Sequence, residues 1–325
     1  MQATLSTNST LITLLNSITL SISRYGFFIF VIFGTIGNIL NVLIFYQKKL
    51  RASPCALYLR TSSCIDLVLT LGISLPRMLT TYDLDYSAKI GIICKMRHFT
   101  YYSLSILSVW MVALAAVDRF LITSPLAKRR QMSSLRNAYR LISASAILVT
   151  LVFGNLFYCA DVVDNGVITS CSASTTRQCG FYNQIARLVT VLCIPEMVII
   201  AVSINMTRNL RYLKQATVTI TSIRSAQYRV RKIDRQLIKL VTCEIVMLTV
   251  SWIPLGIQRM YALVTYDIPR SALCKSIEAL SDEITSMISR MDNSLSFYVY
   301  LFAGGILFRQ TLQSWFKNTV KHGRV

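Results

Sequence analysis

The chain has 325 residues, of which 54% are apolar and 15% charged, and its formal net charge is +20. A soluble globular domain carries about 25% charged residues, so this composition points to a membrane protein and excludes one or two water-soluble domains. The nine cysteines are scattered with no C-x-x-C pair, which leaves no zinc or redox framework to consider.

Residues 1–20 carry no positive charge, and the apolar run after them is long enough to span a bilayer, so a cleaved signal peptide is not expected. The first span is predicted over about residues 24–46. The second covers about 56–78, is interrupted by Asp66 and ends near Pro76. The third runs over about 91–122 and closes on Asp118-Arg119; the fourth covers about 139–159. The stretch "ADVVDNGVITSC", Ala160–Cys171, places apolar and β-branched residues around Asn165-Gly166 and predicts a β-hairpin. The fifth and sixth spans follow over about 185–206 and 237–261. The seventh, over about 277–302, is the weakest by hydropathy because it holds Glu278, Asp282, Glu283, Arg290 and Asp292. Residues 309–324, with Phe308, Leu312, Trp315, Phe316 and Val320 on one face, predict an interfacial amphipathic helix on membrane lipid.

Charge orients these spans. Stretches 46–55, 118–140, 207–239 and 309–325 together hold 22 of the 34 Lys/Arg and only two of the 14 acids, Asp118 and Asp234. The whole net charge therefore falls on one face, which the positive-inside rule makes cytoplasmic. That alternation requires an odd number of spans and an outside N-terminus, and so supports the seventh independently of its hydropathy. The expected organisation is an extracellular N-terminus (1–23), a seven-span domain (24–302) and a cytoplasmic tail (303–325). The basic charge reads as a topology and anionic-lipid signal, with no nucleic-acid partner implied. The sequon at Asn8 falls outside, where glycosylation is expected; the one at Asn205 falls at the inner end of span five. No hydrolase elbow, Walker loop, HExxH or kinase set appears, so no enzyme is expected. The chemistry lies instead in polar residues inside spans, which are costly in lipid and normally face the bundle interior.

These residues resemble the rhodopsin-like (class A) G-protein-coupled receptors over nearly the whole chain. The resemblance rests on "GTIGN" with Asn38, "SSCIDLVLT" with Asp66, "DRF" at Asp118-Arg119-Phe120 with Cys94 25 residues before Arg119, "SWIPL" with Trp252 and Pro254, and "SFYVY" with Tyr300. It implies an all-α seven-transmembrane bundle with a short amphipathic C-terminal helix and a small extracellular hairpin, acting on a heterotrimeric G protein at the plasma membrane. It implies an activation switch of Asp118, Arg119, Asp234, Trp252, Pro254 and Tyr300. It also implies a sodium or polar pocket of Asn38, Asp66, Ser108, Asp292, Asn293 and Ser296, with a sodium ion as the one cofactor considered and no other metal site. A disulfide from Cys94 to Cys171 is expected, with Cys179 as the competing partner. Tyr101 stands where amine receptors carry an acid, so an amine ligand is disfavoured. Arg97, His98, Tyr101, Tyr102, Arg259, Glu283 and Arg290 are the candidate ligand residues. They favour a peptide, basic or amidated in view of the acidic rim formed by Asp267, Glu278, Asp282 and Glu283. The chain departs from the pattern at Ser203 in span five, at Phe297 and Ser296 in span seven, and in the missing span-four Trp. These departures keep an odorant-type or ligand-sequestering receptor as the alternative, with a small transporter or channel as a remote one.

Overall fold

In the computed structural model of the chain, the described residues are 2–47, 50–82, 84, 89–164, 169–217, 225–265 and 268–303. Side chains are described over the same residues except 2–8, 164, 169–170, 203, 206–207, 209–235 and 303. Among them the fold is a helical bundle with a single two-stranded sheet. In chain order the helices are α1 (Gln2–Phe45), α2 (Pro54–Leu69), α3 (Leu75–Thr80), α4 (Gly91–Thr123), α5 (Ala127–Met132), α6 (Leu135–Phe153), α7 (Leu156–Cys159), α8 (Arg177–Arg187), α9 (Ile194–Thr217), α10 (Ser225–Val264) and α11 (Ala272–Ala303). Six helical stretches are long and apolar enough to cross a membrane: Ser9–Phe45, Pro54–Thr80, Gly91–Thr123, Leu135–Cys159, Arg177–Val202 and Gln236–Val264. The seventh is α11. Its acids and arginine depress its hydropathy, yet it runs unbroken for 32 residues and packs along both α1 and α10, closing the ring. The protein is a seven-helix, multi-pass membrane protein.

Two spans continue through π-helical turns. Thr70–Ser74 joins α2 to α3 just before Pro76, and Leu188–Cys193 joins α8 to α9 just before Pro195. A proline lacks the N–H that would close the ladder and crowds the carbonyl four residues back, and a widened turn absorbs both effects. In α10, Pro254 stands inside the helix two residues after Trp252. Close approach of α1 to α11 depends on small residues: a Cβ on Gly34 would lie 3.0 Å from Ser294 Oγ, and one on Gly37 would lie 3.1 Å from Phe297 Cβ. Helix α1 also begins far ahead of residue 24. Its 44 residues exceed what the hydrocarbon core requires by about twofold, so the expected N-terminal segment continues the first span as helix.

The predicted hairpin is present. Strands β1 (Asp161–Asp164) and β2 (Thr169–Ser172) pair antiparallel, with Val162 opposite Cys171 and Asp164 opposite Thr169. Asn165 to Ile168 between them lie outside the described residues, as do the predicted amphipathic tail helix and Asp267. The side chains of Asn8, Ser203 and Asp234 also lie outside them.

Apolar packing forms two clusters. One, toward the Arg119 end, includes Phe45, Cys55, Tyr58, Met111, Leu240 and Tyr300. The other, toward the hairpin, includes Tyr102, Ile106, Phe153, Leu248, Trp252 and Leu255. Buried polar side chains of α1, α2, α4, α10 and α11 also occupy the interior.

Candidate functional site

At the hairpin end the disulfide question resolves: Cys94, in the first turn of α4, is bonded to Cys171 of β2. Cys179 pairs instead with Cys159 at the end of α7. The expectations did not include this second bridge. Its signal was the even set of four cysteines, 94, 159, 171 and 179, flanking the hairpin in sequence. His98 lies with Cys94 and Cys171, but both sulfurs are already committed to disulfides, so the trio offers no thiolate pair to a metal. Asp161 at the start of β1 accepts a hydrogen bond from the backbone N–H of Val162 at 2.9 Å, which holds its carboxyl below the usual aspartate value, helped by Lys95 at 3.4 Å.

Below the hairpin the predicted ligand residues converge. Tyr102 is buried, with the His98 ring edge-on at 6.4 Å, and Arg97 lies close enough to His98 to act on it. Tyr101 stands edge-on to Tyr102 at 5.7 Å. Arg290 sits 5.2 Å from the Tyr101 ring centroid and 5.0 Å from that of Phe27. A residue absent from the expected set occupies the centre. Arg187, at the end of α8, is 7% exposed, donates to Tyr101 Oη at 3.0 Å, and lies over the rings of Tyr101, Tyr102 and Trp252 at 5.2–5.5 Å. Its signal was legible: an arginine within a predicted span has no lipid-compatible position except the bundle interior. The acidic rim looks different in three dimensions. Asp282 pairs with Arg259 at 3.0 Å, Glu278 with Arg270, and Glu283 with Arg77 at 3.7 Å. Each rim acid with a described side chain is thus engaged by an arginine of the same chain, which removes the argument for a basic peptide.

Beneath Trp252 lies the predicted polar pocket. Asp66 accepts hydrogen bonds from Ser108 Oγ at 2.7 Å and Ser62 Oγ at 3.4 Å. Asn38 Nδ2 donates to the Asn293 carbonyl at 2.8 Å, and Asn41 Nδ2 to Ser296 Oγ at 3.1 Å. Asp292 is 5% exposed and lies beside the Trp252 indole, near enough for the N–H to act on its carboxyl, although Oδ1 and Nε1 form no hydrogen bond within 3.5 Å. Glu244 of α10 is 3% exposed, close to Tyr300, and one of its carboxyl oxygens is likewise unpartnered. Glu244 was missed, although an acid eight residues before Trp252 in a span carries the same signal as Arg187. Asp66, Glu244 and Asp292 act on one another electrostatically. Among the described residues they do not bring three ligand atoms within 4.8 Å, so they form no direct three-carboxylate metal cage.

At the far end of α4, Arg119 is 1% exposed and pairs with Asp118 at 2.5 Å. Asp118 also accepts from Ser133 Oγ, and Arg119 donates to Ser53 Oγ at 3.2 Å. Burial makes this pair unlike an exposed ion pair, because removing either partner leaves a charge in the interior. Tyr300 packs edge-on against Phe45 at 5.7 Å, in the cluster bordering the same end. The predicted third partner, Asp234, has no described side chain.

The chain matches the family model described as "7 transmembrane receptor (rhodopsin family)" over residues 37–294. A search of curated proteins found no match.

Proposed function

Because the chain belongs to the rhodopsin family of seven-transmembrane receptors, we propose that it converts binding of an extracellular ligand at the hairpin end into activation of a heterotrimeric G protein at the Arg119 end. The observation that carries this reading is the buried Asp118–Arg119 pair, capped by Ser133 and tied to Ser53. Its guanidinium is held away from the surface in a charge-assisted bond, the resting arrangement a switch requires. Agonist shifts the population toward a state in which α10 swings on Pro254 and Arg119 is released to the G protein. Asp234 is the candidate further partner of Arg119, and Tyr300 and Trp252 the residues that re-pack. The basic face is cytoplasmic, the N-terminus is outside, and Asn8 is a glycosylation acceptor. A peptide end fits the aromatic cavity, and an amine is disfavoured because Tyr101 and two arginines replace an anchoring acid.

The pocket around Asp66 fits a sodium ion. Its donors are hard oxygens, one carboxylate flanked by two serine hydroxyls, with unpartnered carboxyl oxygens of Asp292 and Glu244 in the same interior. A bound cation would supply counter-charge to Asp66 there; Ser62 and Ser108 orient the carboxylate.

The test is agonist-dependent nucleotide exchange on purified G protein. A saturable rise that Arg119→Ala abolishes supports the reading. Demonstrated ligand binding with flat exchange would move the chain to the ligand-sequestering alternative.

A further inference from the structure

We propose that the hairpin-end cavity takes a carboxylate-bearing ligand, whose head group provides the counter-charge that Arg187 and Arg290 lack. The inference rests on the receptor reading and specifies the chemistry of its ligand.

The argument is one of charge balance. At this end of the bundle Arg77, Arg259 and Arg270 each have a carboxylate within 4.0 Å. Arg187 and Arg290 have none among the described residues. Arg187 donates to the Tyr101 phenol oxygen, and otherwise faces the rings of Tyr101, Tyr102 and Trp252. Arg290 has a buried Nε with no hydrogen-bond partner and meets the rings of Phe27 and Tyr101. Glu283 is near enough to act on Arg290 but is shared with Arg77, which forms an ion pair with it at 3.7 Å, so one carboxylate faces two guanidiniums. Both guanidiniums sit 5.2 Å from the same Tyr101 ring, close enough to act on each other.

Ring faces do not balance this arrangement. A cation–π contact recovers only a small part of what it costs to desolvate a buried ion. A planar carboxylate matches the guanidinium fork in geometry and sign. A small cavity of about 20 Å³ between α8 and α10 has Gln184, Arg187, Trp252 and Arg259 on its wall, so a head group reaching Arg290 as well requires the side chains here to move apart. An ammonium or an amidated peptide end would add to the unbalanced positive charge or leave it unmet. The carboxylate comes either from a peptide C-terminus or from a small organic acid.

The experiment measures thermal melts of the purified full chain in detergent. The probes are a tetrapeptide panel ending in Phe or Tyr, each sequence as free acid and as amide, and phenylacetate with phenethylamine as its cationic counterpart. Acid members are expected to raise Tm by several degrees, their amides and the amine not at all. Apparent affinity should fall at least about tenfold in Arg187→Gln and in Arg290→Gln, and less in Arg187→Lys, which keeps charge but loses the fork. A response from peptide acids alone identifies a peptide terminus; a response from phenylacetate as well identifies a small acid as sufficient. In the ligand-free protein Arg187→Met is expected to leave Tm unchanged or raise it, because an unmatched charge is removed. The proposal is overturned if amides or the amine stabilise as well as the acids, if no acid stabilises, if both Gln variants keep the response, or if Arg187→Met melts far below wild type. None of these readouts uses a G protein, so failure here and failure of nucleotide exchange are separate results.

Discussion

The two halves of the bundle interior hold ionisable side chains of opposite kind. On the hairpin side of Trp252 two guanidiniums, Arg187 and Arg290, have no described acid partner; on the Arg119 side three carboxyls, Asp66, Glu244 and Asp292, have no described base partner. Trp252 touches both, with Arg187 over its ring and Asp292 beside its indole. Two disulfides staple the hairpin end, whereas no disulfide among the described residues ties the other. The proposed ligand carboxylate and the proposed sodium ion would each bring the opposite charge to one half. Among the described residues these groups do not pair with each other.

Breaking the partition itself should have the largest effect. Trp252→Ala removes a 4% exposed ring from the hairpin-side cluster and is expected to cost about 3–5 kcal/mol. It should also uncouple ligand binding from exchange, read by comparing binding with nucleotide exchange in one preparation. Loosening only the stapled half, Cys179→Ser is expected to cost about 2–4 kcal/mol in a non-reducing melt, and dithiothreitol should erase the difference from wild type. On the acidic side, matched and unmatched groups should respond oppositely. Ser108→Ala takes a 2.7 Å donor from Asp66 and is expected to cost about 1–3 kcal/mol. Glu244→Gln replaces a buried carboxyl that has an unpartnered oxygen, and its Tm should hold or rise; a clear fall would show that the carboxyl already has a stabilising partner. Sodium added in place of choline should raise the wild-type Tm, and Asp66→Asn should abolish the rise.

The smallest expected effect lies at the hairpin. Asp161 has its carboxyl held below the ordinary value, so it contributes stability that is present above the unfolded-state pKa and lost as pH falls through the lower folded value. Melts of Asp161→Asn should therefore differ from wild type near neutral pH and converge with it in acid. Divergence toward low pH would contradict the sign.

Much of this architecture is legible in the residues alone. Six spans follow from apolar length, and the seventh from the alternation of basic loops, because a long helix in lipid needs little but length and sidedness. Asp66 and Ser108, like Asp118 and Arg119, lie within hydrogen-bond reach of each other, since family motifs fix their places on the helices. Two of the misses share one cause. Arg187 and Glu244 are single charged residues in spans, outside the motifs carrying the resemblance, and their importance appears only when each is found buried without an opposite charge. The acidic rim misled for the converse reason: Asp282, Glu278 and Glu283 are acids in sequence but halves of ion pairs in space.

The helical class, the number of spans, the hairpin and the side on which the basic charge lies all follow from the order of residues. They depend on local composition and periodicity, which act within one segment. Folding in three dimensions was needed to settle which of two cysteines takes Cys94, which charges are matched and which stand alone, and that Trp252 lies between the two unmatched sets. Those outcomes depend on distances between residues tens to hundreds of positions apart, and electrostatic balance in a low-dielectric interior is set by such distances rather than by composition.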